Sequence, residues 1–139
     1  MFQVNSDGTA VEMHAGDTGS FAVKATRSSG EDWTSADRML FTIKGGEGII
    51  LQRYYRLDDD EGLGNGVMLI QFHNNDTDKW APGAYSMERR YCVNPYWDGT
   101  APEGMCVNAL TAGVKMIEGD VVRTVVQGTL TIKSVDGEI

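Results

Sequence analysis

The sequence predicts an all-β fold, an antiparallel β-sandwich of immunoglobulin-like or jelly-roll-like type with about 8–9 strands. Three observations support this prediction. Apolar and polar residues alternate with a period of two along most of the 139 residues. Turn-forming residues, among them 17 glycines, divide that pattern into strand-length segments. No long segment with the period of a helix interrupts it.

Five strands are predicted in the first half of the chain, at residues 9–14, 20–25, 39–44, 48–57 and 67–72. The second places Phe21, Val23 and Ala25 on one face. Residues 33–37 fit either a single helical turn or a bend. The third and fourth strands are joined by the glycine-rich residues 45–48, which favour a hairpin. The fifth strand is almost continuously apolar, which predicts a central strand covered on both faces.

Three further strands are predicted in the second half, at residues 84–93, 105–110 and 121–132. The first of them follows a turn at Pro82-Gly83, and residues 74–78 form an earlier polar turn. Residues 94–104 are a loop with two of the three prolines. A bulge is expected at Gly128 in the last strand, because a glycine inside a strand often marks one.

Length and charge limit the function classes. A chain of 139 residues is predicted to be one domain, residues 1–139. Its net charge of −8 argues against nucleic acid and against an anionic membrane surface as partners. The first residues lack a basic region followed by an apolar run, and no segment is long and apolar enough to span a bilayer. We therefore expect no signal peptide and synthesis in a cytoplasm.

Candidate catalytic and metal-binding patterns are weak. Asp17-Thr18-Gly19 matches the aspartic-protease turn, in which two carboxylates share a proton in a dimer. Its flanks do not match, because His14-Ala15-Gly16 stands where that family has apolar residues, so a polar turn is predicted. The run 58–61 has four acidic side chains but not the spacing of a calcium loop. We predict no catalytic residue, no metal site, no cofactor and no enzymatic activity.

The two cysteines leave two interpretations open. Cys92 and Cys106 are too far apart in sequence for the usual zinc-ligand pairs. They are either two separate thiols, buried or half-buried, or they face each other across a hairpin and oxidise to a disulfide outside the cell.

Loop aromatics suggest an alternative function. Trp80, Tyr96 and Trp97 lie in or beside predicted loops. Sugar-binding modules place aromatic stacking platforms in such loops, so these three residues are candidate carbohydrate-binding residues. Aromatic residues are also enriched in protein–protein interfaces.

Several short motifs in a fixed order resemble a known family. They are Gly16-Asp17-Thr18, Asp37 with residues 39–44, Gly48-Ile49-Ile50, residues 70–77 with Pro82-Gly83-Ala84-Tyr85, and residues 123–128 with Leu130-Thr131-Ile132. Together they resemble the N-terminal β-sandwich domain of phage baseplate upper proteins and related tail proteins from phages and prophages of Gram-positive bacteria. The resemblance covers residues 10–134. Residues 94–119, which we call the insert, are longer than the corresponding part of the family pattern.

The resemblance implies a non-enzymatic structural or adaptor module of a phage or prophage tail, located in the virion and assembled in the host cytoplasm. Expected partners are other tail or baseplate proteins and further copies of the chain, because such assemblies repeat modest interfaces around closed rings. A carbohydrate-binding module is the alternative, with a glycan as its ligand. An aspartic-protease dimer is a third hypothesis.

Overall fold

A computed structural model describes residues 1–58, 62–117 and 123–134. The predicted all-β class is confirmed: these residues form eleven strands and one α-helical turn. The elements are β1 (Gln3–Val4), β2 (Ala10–His14), β3 (Gly19–Lys24), β4 (Arg38–Gly45), β5 (Gly48–Arg56), β6 (Val67–Phe72), α1 (Asn74–Thr77), β7 (Gly83–Cys92), β8 (Tyr96–Trp97), β9 (Cys106–Asn108), β10 (Met116–Ile117) and β11 (Arg123–Lys133). The predicted number of strands was too low because β1, β8 and β10 have two residues each. A strand of that length is too short to show the alternation of apolar and polar residues.

The larger layer is a curled sheet of seven strands in the order β1-β2-β11-β7-β4-β5-β9. The prediction of a purely antiparallel sheet is wrong at one position, because β2 and β11 run parallel with Val11 opposite Leu130. Parallel neighbours need a long crossover connection, and here that connection is most of the chain. The other ladders of this sheet are antiparallel.

The second layer is a two-stranded sheet of β3 and β6, with Phe21 opposite Ile70 and Val23 opposite Met68. Its inner face packs on the large sheet, where the ring centroids of Phe72 and Phe41 lie 6.3 Å apart. The apolar side chains between the layers are almost wholly buried. Each such burial stabilises the fold by roughly 1.5–3 kcal/mol.

The apolar strand 67–72 does not have the predicted central position. Among the described residues β6 pairs only with β3, and its burial alternates, with Met68, Ile70 and Phe72 buried and Leu69 half-buried. The continuous apolar run therefore marks a strand whose outer face is partly covered, and not one enclosed by neighbours on both sides.

The bulge expected at Gly128 is also absent, since the β7–β11 register runs without a shift from Arg123 opposite Cys92 to Ile132 opposite Gly83. A Cβ at Gly128 would lie 2.5 Å from the carbonyl oxygen of Thr9. The glycine thus permits close approach of the chain just before β2.

Two connections differ from or decide between the predictions. Residues 33–37 contain a hydrogen-bonded β-turn, in which Asp37 N donates to Thr34 O at 3.1 Å and Thr34 N donates to the Asp37 carboxylate at 2.7 Å. The polar turn after β6 contains the single helical turn α1, where His73 N donates to Asp76 Oδ2 at 2.7 Å. Among the described residues, no helix has the length and apolar character needed to cross a membrane.

Candidate functional site

The three aromatic residues predicted to bind carbohydrate lie in two separate places. Trp80 is half-buried before β7 and packs on Tyr85, with ring centroids 5.4 Å apart. Trp97 packs edge-on against Tyr54 of β5, with ring centroids 5.0 Å apart. Trp80 and Trp97 lie towards opposite ends of β7. Tyr85 is near the start of this strand, whereas Cys92, about 23 Å further along it, is opposite Arg38, whose guanidinium lies beside Trp97. The structure brings Tyr96 and Trp97 together in β8 but does not place Trp80 beside them.

The Asp-Thr-Gly motif forms the turn between β2 and β3. Asp17 Oδ2 accepts hydrogen bonds from His14 N at 2.8 Å and from the terminal amine of Met1 at 3.0 Å. Partial burial would raise the pKa of Asp17, but these hydrogen bonds outweigh it and the pKa is lowered. Gly16 N donates to Thr77 Oγ1 at 2.9 Å, which ties the turn to α1. The carboxylate therefore serves the turn itself.

The acidic run 58–61 lies outside the described residues except for Asp58. That carboxylate forms a two-point ion pair with Arg56, at 3.0 Å from Nε and 2.6 Å from Nη2. Asp76 is similarly paired with Arg53 at 2.9 Å. No group of three His, Cys, Asp or Glu residues arranged for a metal ion occurs within the described part of the chain.

No disulfide joins the two cysteines. Cys92 is buried on β7, whereas Cys106 is exposed on β9. Because β4 and β5 lie between these strands, the two backbones are about 14 Å apart, well beyond the reach of a disulfide. Of the two interpretations, the hairpin disulfide is wrong and separate thiols are correct, but the expected burial holds for Cys92 and not for Cys106.

A cavity of about 370 Å³ opens beside the inner face of β7. We call it the Arg89 pocket. Its wall contains two aromatic residues, three basic residues, four residues with a hydroxyl group and three small apolar residues. These are Trp33, Tyr91, Lys24, Arg27, Arg89, Thr26, Ser28, Ser29, Thr124, Ala25, Val93 and Val126.

The aromatic wall of the Arg89 pocket is fixed by its own hydrogen bonds. Trp33 Nε1 donates to Ala25 O at 2.9 Å, and the backbone of Trp33 bonds in both directions with the Asn65 side chain at 2.8 Å. The Trp33 and Tyr91 rings lie 6.2 Å apart. Burial raises the pKa of Tyr91, although nearby Arg89 opposes it, so the phenol stays protonated at neutral pH.

A second cavity of about 320 Å³ lies by β5, with Arg53, Tyr55, Gln71 and His73 in its wall. Its basic residue is neutralised, since Arg53 is paired with Asp76 at 2.9 Å and also donates to Gln71 O at 2.6 Å. This cavity therefore lacks the uncompensated positive charge of the Arg89 pocket.

The insert carries an exposed apolar surface. β8 and β10 form a two-stranded ribbon in which Tyr96 and Ile117 are direct cross-strand partners, exposed by 57% and 46%. Leu110, exposed by 55%, follows the edge strand β9. β9 pairs with β5 at Tyr54, on which the ribbon also packs through Trp97. We call Tyr96, Leu110 and Ile117 the insert surface.

Comparisons with protein-family models, with curated proteins and with solved structures give no match for this chain.

Sequence reasoning did not identify Arg89 as a candidate site residue. The signal was present, because Met87, Arg89 and Tyr91 share one face of β7, and a basic residue between two core positions indicates a charge directed inward. The exposure of Ile117 could not be read in the same way, since a two-residue strand has no period.

Proposed function

We propose that this protein is a non-enzymatic structural or adaptor module of a phage or prophage tail, and that it assembles with further copies of itself through the insert surface. The observation that carries the proposal is the exposed Tyr96–Ile117 pair in the β8–β10 ribbon. Large apolar side chains that adjoin on a surface are typical of interaction sites, whereas scattered ones are not. The tail assignment rests on the sequence resemblance.

The ribbon is anchored firmly enough to present such a surface. Met116 N donates to Tyr54 Oη at 3.2 Å, and Lys115 N donates to Asp98 Oδ1 at 2.7 Å across the ribbon. The guanidinium of Arg38 lies 5.8 Å from the centroid of Trp97. A preformed surface loses little conformational entropy on binding, which favours assembly.

The start of the insert is also fixed to the sheet. Asn94, which has a φ of 46°, donates its N–H to the buried carboxylate of Asp37 at 2.8 Å. Arg38 Nη2 donates to Pro102 O at 2.8 Å. These contacts connect the insert to the start of β4. A mechanical force on the insert surface would therefore act on the central sheet as well.

A second copy of the chain fits the position of the surface. The insert surface adjoins β9, which is an edge strand with a partner on one side only among the described residues. Such an edge offers backbone donors and acceptors next to the apolar side chains. Repetition of one modest contact around a closed ring gives a stable assembly even where a single contact is weak.

Sedimentation velocity over a range of protein concentrations tests the assembly. We expect the parent chain to form a discrete oligomer and the Tyr96→Lys/Ile117→Lys double variant to sediment as a monomer with unchanged circular dichroism. Ile49→Lys is the matched control, since Ile49 is exposed by 44% but lies in the β4–β5 hairpin. A parent chain that stays monomeric at the highest concentration, or a double variant that assembles normally, contradicts the proposed contact.

The tail assignment has a separate test. Mass spectrometry of purified phage particles from the source strain, after prophage induction, is expected to detect this chain. Its absence from tailed particles that contain the neighbouring gene products contradicts the assignment, whatever the oligomeric state.

The carbohydrate alternative stays a prediction, and the exposed Tyr96 beside half-buried Trp97 is the observation that favours it. A tryptophan-fluorescence titration with cell-wall sugars, repeated with Trp97→Ala, tests it. No response, or a response that the substitution does not change, argues against it.

A further inference from the structure

We propose that the Arg89 pocket binds a small organic anion, a phosphate monoester carried on a flat, apolar body. The inference is independent of the proposed assembly, because none of the residues in the pocket wall belongs to the insert surface.

Arg53 and Arg89 occupy equivalent positions on two neighbours of β4. Phe41 of β4 has Arg89 opposite it on β7 and Arg53 opposite it on β5, so both side chains start from the inner face of the sheet in one cross-strand row. Arg53 has a carboxylate partner, Asp76 Oδ2 at 2.9 Å. Arg89 has none within 4.0 Å among the described residues.

The positive charge of Arg89 is buried. The residue is only 7% exposed. Nη2 donates to the carbonyl oxygen of Asp7 at 3.2 Å, while Nη1 is buried without a hydrogen-bond partner. A buried charge without an opposite charge is costly, and proteins normally pair it. An anion bound in the adjoining pocket would provide the missing charge.

Two further basic residues, Lys24 and Arg27, line the Arg89 pocket. Lys24 is exposed at the end of β3, and the described residues contain no carboxylate within ion-pair distance of it. Arg27 follows in the same loop. Its Nη1 donates to Asp32 O at 3.3 Å, and its one ion-pair contact among the described residues is a long one, 3.9 Å from Glu31. Three basic residues therefore line one cavity in a protein whose net charge is −8. This local reversal of sign favours an anion inside the pocket.

The hydroxyl groups in the pocket wall favour a phosphate over a carboxylate as the ligand. Thr26, Ser28 and Thr124 line the same cavity and are exposed, so their hydroxyl groups are available to a ligand. A phosphate monoester has three terminal oxygens and close to two negative charges, so it can accept from several hydroxyl and basic groups at once. A carboxylate would leave more of these donors unused.

The apolar part of the pocket wall indicates what the rest of the ligand is, apart from its phosphate. Trp33, Tyr91, Val93 and Val126 form the apolar part of the wall, and Trp33 is held in place by its bonds to Ala25 and Asn65. A flat, apolar body can pack against such rings. The volume of about 370 Å³ lies within the range of small-molecule sites and excludes a large polymer from the cavity itself.

Isothermal titration calorimetry with phenyl phosphate tests the inference. We expect saturable binding, at least about tenfold tighter than that of phenol or of benzoate, because only the phosphate combines the charge with enough acceptors. Inorganic phosphate is expected to bind at least about tenfold more weakly than phenyl phosphate, because it lacks the body that packs on Trp33 and Tyr91.

Two variants and one control locate the site. Arg89→Met is expected to abolish binding with unchanged circular dichroism, and Lys24→Met to weaken it by about threefold or more, since Lys24 is exposed and its substitution leaves the core intact. Lys44→Met, an exposed basic residue of β4 outside the pocket, is expected to bind as the parent does. The inference is overturned if phenyl phosphate gives no heat at millimolar concentration, or if phenol, benzoate or inorganic phosphate binds equally well. It is likewise overturned if Arg89→Met binds as the parent does, or if Lys24→Met and Lys44→Met behave alike.

Discussion

At the scale of single residues, charge pairing differs sharply between equivalent positions of the sheet. Arg53 and Arg89 flank Phe41 on the inner face, and among the described residues only Arg53 has a carboxylate partner. The guanidinium of Arg53 also lies 5.9 Å from the ring centroid of Phe72. The same residue type therefore stabilises the fold at one position and imposes a cost at the other.

The two arginines should respond oppositely to substitution. Arg89→Met is expected to leave stability unchanged or raise it by up to about 2 kcal/mol, because it removes a buried charge that has no opposite charge beside it among the described residues. Arg53→Met is expected to lower stability by about 1–3 kcal/mol, because it leaves Asp76 without its partner. Urea unfolding followed by circular dichroism measures both. Equal destabilisation by the two substitutions contradicts this account of the charges.

Asp58 gives a prediction for the dependence of stability on pH. Its two-point contact with Arg56 lowers the pKa of the carboxyl below the ordinary value of 3.8. A carboxyl whose pKa is lower in the folded state stabilises the fold above the unfolded pKa, and that contribution is lost as the pH falls through the folded value. We therefore expect the Asp58 contribution to be fully present at pH 6, to begin to decrease below about pH 4 and to be lost as the pH falls through the lowered pKa of the folded state.

Urea midpoints of the parent and of Asp58→Asn between pH 6 and pH 3 measure this contribution. The two curves should differ near neutrality and converge in acid. A constant difference across the whole range shows that the ion pair is not its source.

At the scale of elements, the alternation of apolar residues predicted most strands closely but not their partners. The predicted strand 39–44 corresponds to β4 (Arg38–Gly45), and 67–72 corresponds to β6 (Val67–Phe72). An apolar run reports how much of a strand is buried, and not which strand lies beside it. For that reason the parallel pairing of β2 with β11 and the edge position of β6 could not be predicted from the sequence.

Gly66 is the element boundary with the strictest requirement. It has φ +80°, and an added Cβ would lie 2.2 Å from the carbonyl oxygen of Ala25. Its own backbone bonds to Leu57 O and accepts from Ala25 N, both at 2.8 Å, so the chain cannot move away without breaking these bonds.

Gly66→Ala is therefore expected to destabilise the domain by about 2–4 kcal/mol, the sum of left-handed strain and overpacking. Gly46→Ala is the matched control, because no atom lies within 4 Å of its added Cβ. That variant should stay within about 0.5 kcal/mol of the parent. Thermal or urea unfolding provides the comparison, and similar losses in both variants contradict the steric explanation.

At the scale of the whole molecule, the unequal size of the two layers determines where sites can form. Seven strands face two, so β3 and β6 leave part of the inner face of β7 and β11 uncovered. The Arg89 pocket lies there. The insert surface lies towards the opposite edge of the sheet, where β9 is the last strand. The all-β class followed from the sequence, but both sites depend on how far one layer covers the other, which alternation alone does not encode.

Hydrogen–deuterium exchange at several protein concentrations tests the proposed assembly most directly. As the concentration rises, the amides of residues 96–97 and 106–117 should exchange more slowly, because the insert surface becomes covered by a second copy. The hairpin at residues 45–48 should exchange at the same rate throughout. Exchange in the insert that does not depend on concentration, in a sample that sediments as an oligomer, would place the contact elsewhere and contradict the proposal.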